Sequence, residues 1–471
     1  MNAKELLAHL MHRPAAFVRR PKADATASAD EANRRTLHRR AVEAAIWGMP
    51  LVSFAAMREA FFRDAGANYG DLVYLSKPAD WRFQITTPSA SALYVYFNFN
   101  TKEGPVVLDV PASGAVGLFG SVLDAWQTPL ADVGPNGEDE GHGGKYLLLP
   151  PGYDGQIPEG HLPLRAATYN GYGVLRVIPA THANADIARA IELIKQLRVY
   201  RHGAASPTTT RYIDIAGKPF DAIPSMDESF YEALARLVGE EPVQARDLVA
   251  MAQLRALGIE KDRTFAPNSA TRTVLRVAIR EAHATFKREA ASCEPFWSGS
   301  HWCAAPSVGQ RTGFSFMTSD HLEVDERGMV YFLACAPPQR LGAATFYLGG
   351  FADADGAALS GEHRYRLHVP ADVPVEQYWA ATVYDLETAG LVRQAPKLAI
   401  DSYQQTQKNA DGSLDIYFGP SAPVGRESNW VYTAPGKPWF TFFRFYGPKK
   451  AVFDRTWRLG EIERISGATI H

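Results

Sequence analysis

The sequence predicts a mainly β (α+β) protein in which two antiparallel β-sandwich or jelly-roll-like domains are joined by a helical section. Three observations carry that expectation. Short apolar runs separated by Pro, Gly, Asn and Asp clusters fill residues 80–180. Between about Asn184 and Ala290 the apolar period becomes helical. After Cys293 the β cadence returns and runs to the end. Many short strands at even spacing favour sandwiches over a parallel α/β sheet.

Residues 1–35 are polar, alanine-rich and broken by Pro14 and Pro21, and they read as a flexible arm. Residues 36–180 form the N-terminal β-rich domain. Its opening helix is expected from Thr36 to Met49, with Leu37, Ala41, Ala44, Ala45 and Ile46 at helical spacing and Gly48 and Pro50 ending the pattern. Strands follow at Ala92–Phe99, Val106–Val110, Tyr146–Leu149 and Gly173–Ile178. Residues 181–292 are the helical connection, with Asp227 and Ser269 at N-cap positions and Gly239 and Gly258 at helix stops. Residues 293–471 form the C-terminal sandwich, with strands at Val330–Cys335, Ala344–Gly349, Tyr365–Val369, Tyr378–Tyr384, Leu414–Phe418 and Trp439–Phe445. The turns DADG, NADG and APGKP fall between them.

Composition sets the outer bounds. With 471 residues, 46% of them hydrophobic and 21% charged, the chain has room for two cores and a globular balance. Its net charge is −2 and its basic residues are scattered, so nucleic acid is not an expected partner. No run nears the roughly 20 apolar residues of a membrane span, so no membrane partner is expected either. The start MNAKELLAHLMHRPAAFVRRPK lacks the apolar core of a secretory signal. Cys293, Cys303 and Cys335 leave at least one thiol unpaired, and a reducing compartment fits. A cytoplasmic protein is therefore expected, with the periplasm as the alternative if a leader has been removed. Homo-oligomerisation is expected, most simply as a two-fold dimer.

Specific strings then carry a resemblance. LYVYFNFNTKEGPVVLDVPA, SVLDAWQTPLADVGPNG and KYLLLPPGYDGQIPEG resemble the domain of unknown function 1254. GEHRYRLHVPADVPVEQYWAATVYD, NADGSLDIYFGP, ESNWVYTAPGKPWFTFFRFYGP and RTWRLGEIERI are similar to the domain of unknown function 1214. The resemblance implies two β-rich domains joined by helices and assigns no reaction. The family's Asn-x-Asp-Thr stretch ahead of Leu-Tyr is replaced here by Ser89, Ala90, Ser91 and Ala92. Any activity resting on that stretch is in question for this chain.

Two constellations can carry chemistry. In LDAWQ, Asp124 beside Trp126 can orient a polar ligand stacked on the ring, and His142 in the following loop can supply a proton. Buried Trp packing with a turn-capping Asp is the plainer explanation. In the C-terminal domain Trp379, Tyr384, Asn429, Trp430, Trp439, Arg444 and Tyr446 can form a platform for a sugar or a carboxylate, with Tyr94 added from the first domain, and sandwich core with a structurally paired Arg is the plainer explanation. Strand alternation puts Phe440, Phe442 and Arg444 on one face and Trp439, Thr441, Phe443 and Phe445 on the other. Cys293, His301 and Cys303 lack the paired close spacing of a zinc site, and no metal is assigned. Neither a G-x-S-x-G elbow nor an H-E-x-x-H helix occurs. No cofactor is named by these patterns.

The leading expectation is an enzyme, a hydrolase or lyase, acting on a small or oligomeric polar substrate in a cleft between the β domains. Asp124, His142 and Arg444 would be catalytic, and Trp126, Tyr94, Trp379, Trp430 and Asn429 would bind substrate. The alternative is a non-catalytic carbohydrate-binding, ligand-binding or assembly protein.

Overall fold

The computed structural model describes residues 29–465 except 115, 182, 204–208, 305, 343 and 344. Residues 1–28 of the expected arm lie outside the described residues, and residues 29–35 belong to a helix, Ala29–Arg63, rather than to an arm. In chain order, α1 (Ala29–Arg63) is followed by β1 (Leu72–Tyr74), β2 (Phe83–Gln84), β3 (Leu93–Asn100), β4 (Val106–Val110) and β5 (Gly117–Asp124). Next come β6 (Pro129–Val133), β7 (Gly144–Leu149), β8 (His161–Arg165) and β9 (Asn170–Ile178). The middle holds α2 (Asn184–Ile194), β10 (Arg198–Arg201), β11 (Tyr212–Asp214), β12 (Phe220–Asp221), α3 (Ser229–Glu240), α4 (Leu248–Arg255) and α5 (Ser269–Ala291). Then follow β13 (Trp302–Cys303), α6 (Ser307–Arg311), α7 (Val324–Leu333), β14 (Thr345–Gly350), β15 (Arg364–Val369), β16 (Val375–Asp385) and β17 (Ala399–Asp401). The chain closes with β18 (Leu414–Gly419), β19 (Trp430–Tyr432), β20 (Trp439–Pro448), α8 (Lys450–Phe453) and β21 (Ile462–Ile465). Helix and strand take nearly equal shares, 27% and 28%, so the class is α+β.

The N-terminal sandwich packs a six-stranded sheet, β11-β1-β3-β9-β5-β6, on a four-stranded one, β10-β4-β7-β8. Its period-two strands sort their side chains cleanly. Leu93, Val95, Phe97 and Phe99 of β3 enter the sandwich core with Val106, Leu108 and Tyr146. Tyr94 and Tyr96 point the other way, into a second core shared with the helices. The C-terminal sandwich packs β13-β14-β20-β16-β17 on β19-β18-β15-β21. There Trp439, Phe443 and Phe445 of β20 fill the core, while Phe440 joins the helical core on the opposite face. Each sandwich therefore turns one outer sheet face toward the junction.

Three local expectations are corrected. The first helix does not stop at Gly48 and Pro50 but runs on to Arg63. Its middle, Ala44 to Ala55, is buried, so packing overrides the break, and Gly48 lets the Leu234 side chain pack close, since a Cβ there would meet Leu234 Cδ1 at 2.7 Å. Val330–Leu333 is the end of α7 rather than a strand. A short apolar run buried on all sides has the same composition in either state. At α5 the cap is Asn268, one residue ahead of Ser269, with its Oδ1 accepting the Thr271 N–H at 2.9 Å.

Cys293 and Cys303 form a disulfide and Cys335 stays free. The bridge Pro295↔Cys303 folds the chain after α5 back along β13, which brings the two sulfurs together.

Candidate functional site

Two tyrosine–arginine pairs face the junction, one from each sandwich. On the six-stranded sheet Tyr94 of β3 stands directly across from Arg176 of β9. On the five-stranded sheet Tyr347 of β14 stands directly across from Arg444 of β20. Each guanidinium lies over its partner's ring, 5.6 Å from the Tyr94 centroid and 5.0 Å from that of Tyr347. Arg444 also lies 5.3 Å from the rings of Tyr384 and Phe442. All four residues of the two pairs line one cavity of about 140 Å³.

The rest of that cavity is mostly apolar. Val174, Leu333, Phe351 and Phe442 supply walls, with α7 along one side. Among the described lining residues there is no Asp, Glu or His, and among the described residues neither Arg176 nor Arg444 has a carboxylate partner. Arg444 is 2% exposed and is held by neutral acceptors, the Thr87 carbonyl at 2.7 Å and the Tyr384 hydroxyl. The buried Thr86 hydroxyl, also on the wall, has no hydrogen-bond partner among the described residues. Three lining residues, Thr87, Phe314 and Ala336, sit at φ 42°, 58° and 49°. A β-branched Thr in that region is strained, and strain of this kind gathers at ligand sites. Thr87 is pinned there by its N–H to the Ala389 carbonyl at 2.8 Å and its hydroxyl to the Leu333 carbonyl at 2.9 Å.

Burial and charge compete in the titration of the phenols. Burial raises the pKa of Tyr96, Tyr172, Tyr331 and Tyr378. Burial acts the same way on Tyr347, but Arg176 and Arg444 outweigh it and hold that phenol below its usual range. The Cys335 thiol on the same wall is pushed up by burial.

Of the residues singled out in the sequence, the structure brings Tyr94 and Arg444 to this cavity. The others sit elsewhere. Asp124 ends β5, is 2% exposed, and accepts the Thr128 N–H at 2.9 Å. Burial pushes it up to about 6, against the pull of that N–H and of Arg246. Trp126 is buried between Trp47, 4.7 Å away, and the Arg327 guanidinium, 5.1 Å away. His142 is exposed in a turn closed by its N–H to the Asp139 carbonyl. Trp379 is stacked on Phe443 inside the C-terminal core. The fully buried Asn429 spends its amide on Gln407 and Asp415 backbone groups, and Trp430 donates to the Gly419 carbonyl at 2.9 Å. These last three tie the C-terminal sandwich together.

Arg176 and Tyr347 are the functional candidates the sequence reading passed over. The available signal was a single charge in the apolar strand NGYGVLRVI. For Tyr347, one of 20 tyrosines, there was none before its neighbours were known. The altered stretch Ser89–Ala92 also lies at this junction: the Ser89 N–H donates to the Tyr94 hydroxyl at 2.7 Å, and the Ser91 hydroxyl donates to Asp401 of the other sandwich.

Residues 70–201 match the family model described as protein of unknown function (DUF1254), and residues 344–450 match protein of unknown function (DUF1214). No curated protein matches the chain. The crystal structure of the VPA0106 protein from Vibrio parahaemolyticus is similar in fold, with a TM-score of 0.52 at 15% identity, covering 91% of this chain and 100% of its own. An uncharacterized protein from Burkholderia cenocepacia aligns at a TM-score of 0.41 and 13% identity, covering 92% of this chain and 96% of its own.

Proposed function

The chain belongs to the family that pairs an N-terminal domain of unknown function 1254 with a C-terminal domain of unknown function 1214, and on that premise we propose that it binds a small organic acid at the junction of the two. The carboxylate lies between Arg176 and Arg444, and the apolar body lies against Val174, Leu333, Phe351 and Phe442. The observation that carries this reading is a pair of guanidiniums, one from each domain, bordering a single apolar cavity with no carboxylate partner among the described residues. Two cations in such surroundings are costly, and a ligand anion with charge-assisted hydrogen bonds offsets that cost. A cavity of about this size takes a benzene-sized guest. Placement does not support Asp124, His142 and Arg444 as one acid–base set, since only Arg444 reaches the cavity.

Thermal-shift and ligand-observed NMR measurements with benzoate and vinylacetate, each set against its neutral amide, test this. The acids are expected to bind and raise the melting temperature, and the amides are not. Equal effects from the amides, or no effect from any acid, sink the proposal.

The Cys293–Cys303 disulfide borders the same cavity and supports an oxidising compartment, hence the periplasmic alternative over the cytoplasm. Protein taken from its native host and alkylated in denaturant without reductant should show one reactive thiol. Three reactive thiols would return the protein to a reducing compartment.

A further inference from the structure

We propose that Tyr347 is the acid–base residue of this cavity and that the protein catalyses proton transfer at the carbon next to the carboxylate of its bound acid. The inference rests on the acid-binding reading and adds a reaction to it. Among the described lining residues, Tyr94, Tyr347 and Cys335 can exchange a proton without unfolding the site. Tyr94 accepts the Ser89 backbone N–H on its hydroxyl. Burial of the Cys335 thiol outweighs the pull of Arg176 on its thiolate, so it is a poor base at neutral pH. Tyr347 is partly buried and is flanked by a cation on each side of the junction.

The groups around Tyr347 reinforce the assignment. Arg176 comes from β9 and Arg444 from β20. The phenols of Tyr94, Tyr384 and Tyr446 come from β3, β16 and β20, and the Cys335 thiol from the segment after α7. Both charged neighbours are positive, and two guanidiniums can hold two anions, the ligand carboxylate and the Tyr347 phenolate. The depressed pKa of Tyr347 agrees with this geometry.

The step balances without a co-reactant. The phenolate oxygen takes the proton from the carbon next to the carboxylate. The electrons of the broken C–H bond become the C=C bond of an enediolate, and its second negative charge falls on oxygens already facing the guanidiniums. Fixed positive charge in an apolar site is most effective where negative charge develops. Return of the proton to the same carbon gives exchange, and return to a conjugated carbon gives isomerisation.

Vinylacetate in deuterium oxide tests this, because its proton next to the carboxylate is also allylic. The wild-type protein should incorporate deuterium and form crotonate, at a rate that rises with pH and levels off once Tyr347 has ionised. Tyr347→Phe keeps the ring, so it should retain the melting temperature and bind vinylacetate within about twofold, yet lose about a hundredfold or more of the exchange rate. Wild-type protein that binds vinylacetate and leaves its protons in place overturns this inference alone, as does undiminished exchange by Tyr347→Phe. Failure of vinylacetate and benzoate to bind at all overturns the acid-binding reading, and this inference with it.

Discussion

Replacing Arg444 with methionine should remove acid binding at the junction, lowering affinity by about a hundredfold or more, and should cost the fold about 3 kcal/mol. Methionine fills much of the volume but donates nothing. The Thr87 carbonyl and the Tyr384 hydroxyl each lose the guanidinium that binds them. Thr87 is already held at a strained φ of 42°, so a weaker anchor there loosens the cavity wall. Part of the loss is returned because a 2%-exposed cation no longer has to stay out of water. Arg444→Lys separates the two roles: it keeps the charge but not the planar fork, so it should retain weak acid binding while losing much of the stability. Arg176→Met is the counterpart on the other domain. Arg176 is only partly buried, so its loss should weaken acid binding with a smaller effect on folding. Urea unfolding and NMR titration with benzoate measure both quantities. Unchanged benzoate affinity in Arg444→Met would rule out a carboxylate seated between the two arginines.

How much of this could be read from the chain differs by residue. The alternation along Trp439–Pro448 places Arg444 on an aromatic face opposite Trp439, Phe443 and Phe445, because side-chain direction in a strand is a local property. The same logic gives the faces of β3, with Tyr94 turned away from Leu93 and Val95. Periodicity does not say which faces meet. Tyr94, Arg176, Tyr347 and Arg444 come from strands far apart in the chain, and their meeting depends on how two sandwiches and α7 pack. The aromatic residues chosen for binding, Trp126 and Trp379, show the converse. Their composition suits a ligand platform, yet rings of that size are most often core, and both are buried. The pairing of Cys293 with Cys303 depended on a fold-back at Pro295 that no hydrophobic pattern announces.

Asp124→Asn is expected to stabilise the protein at alkaline pH, and the direction separates a structural from a catalytic role for this carboxylate. Asp124 has a folded pKa of about 6 against an ordinary value of 3.8, because burial outweighs the Thr128 N–H and Arg246. A raised acid favours the folded state when protonated. Its penalty is absent below pH 3.8, grows as pH rises, and is complete above about pH 6, where it reaches about 3 kcal/mol. Asparagine stays neutral and keeps an oxygen for the Thr128 N–H, which now lies 2.9 Å from Asp124 Oδ1. The stability difference between variant and wild type should therefore be small near pH 4 and approach about 3 kcal/mol in favour of the variant at pH 8, read from urea unfolding at each pH. A difference that does not change with pH would mean that Asp124 titrates normally. The same variant bears on chemistry. Asp124 does not line the cavity, so vinylacetate exchange should persist in Asp124→Asn. Loss of exchange in a variant that has become more stable would instead place Asp124 in the reaction and Tyr347 outside it.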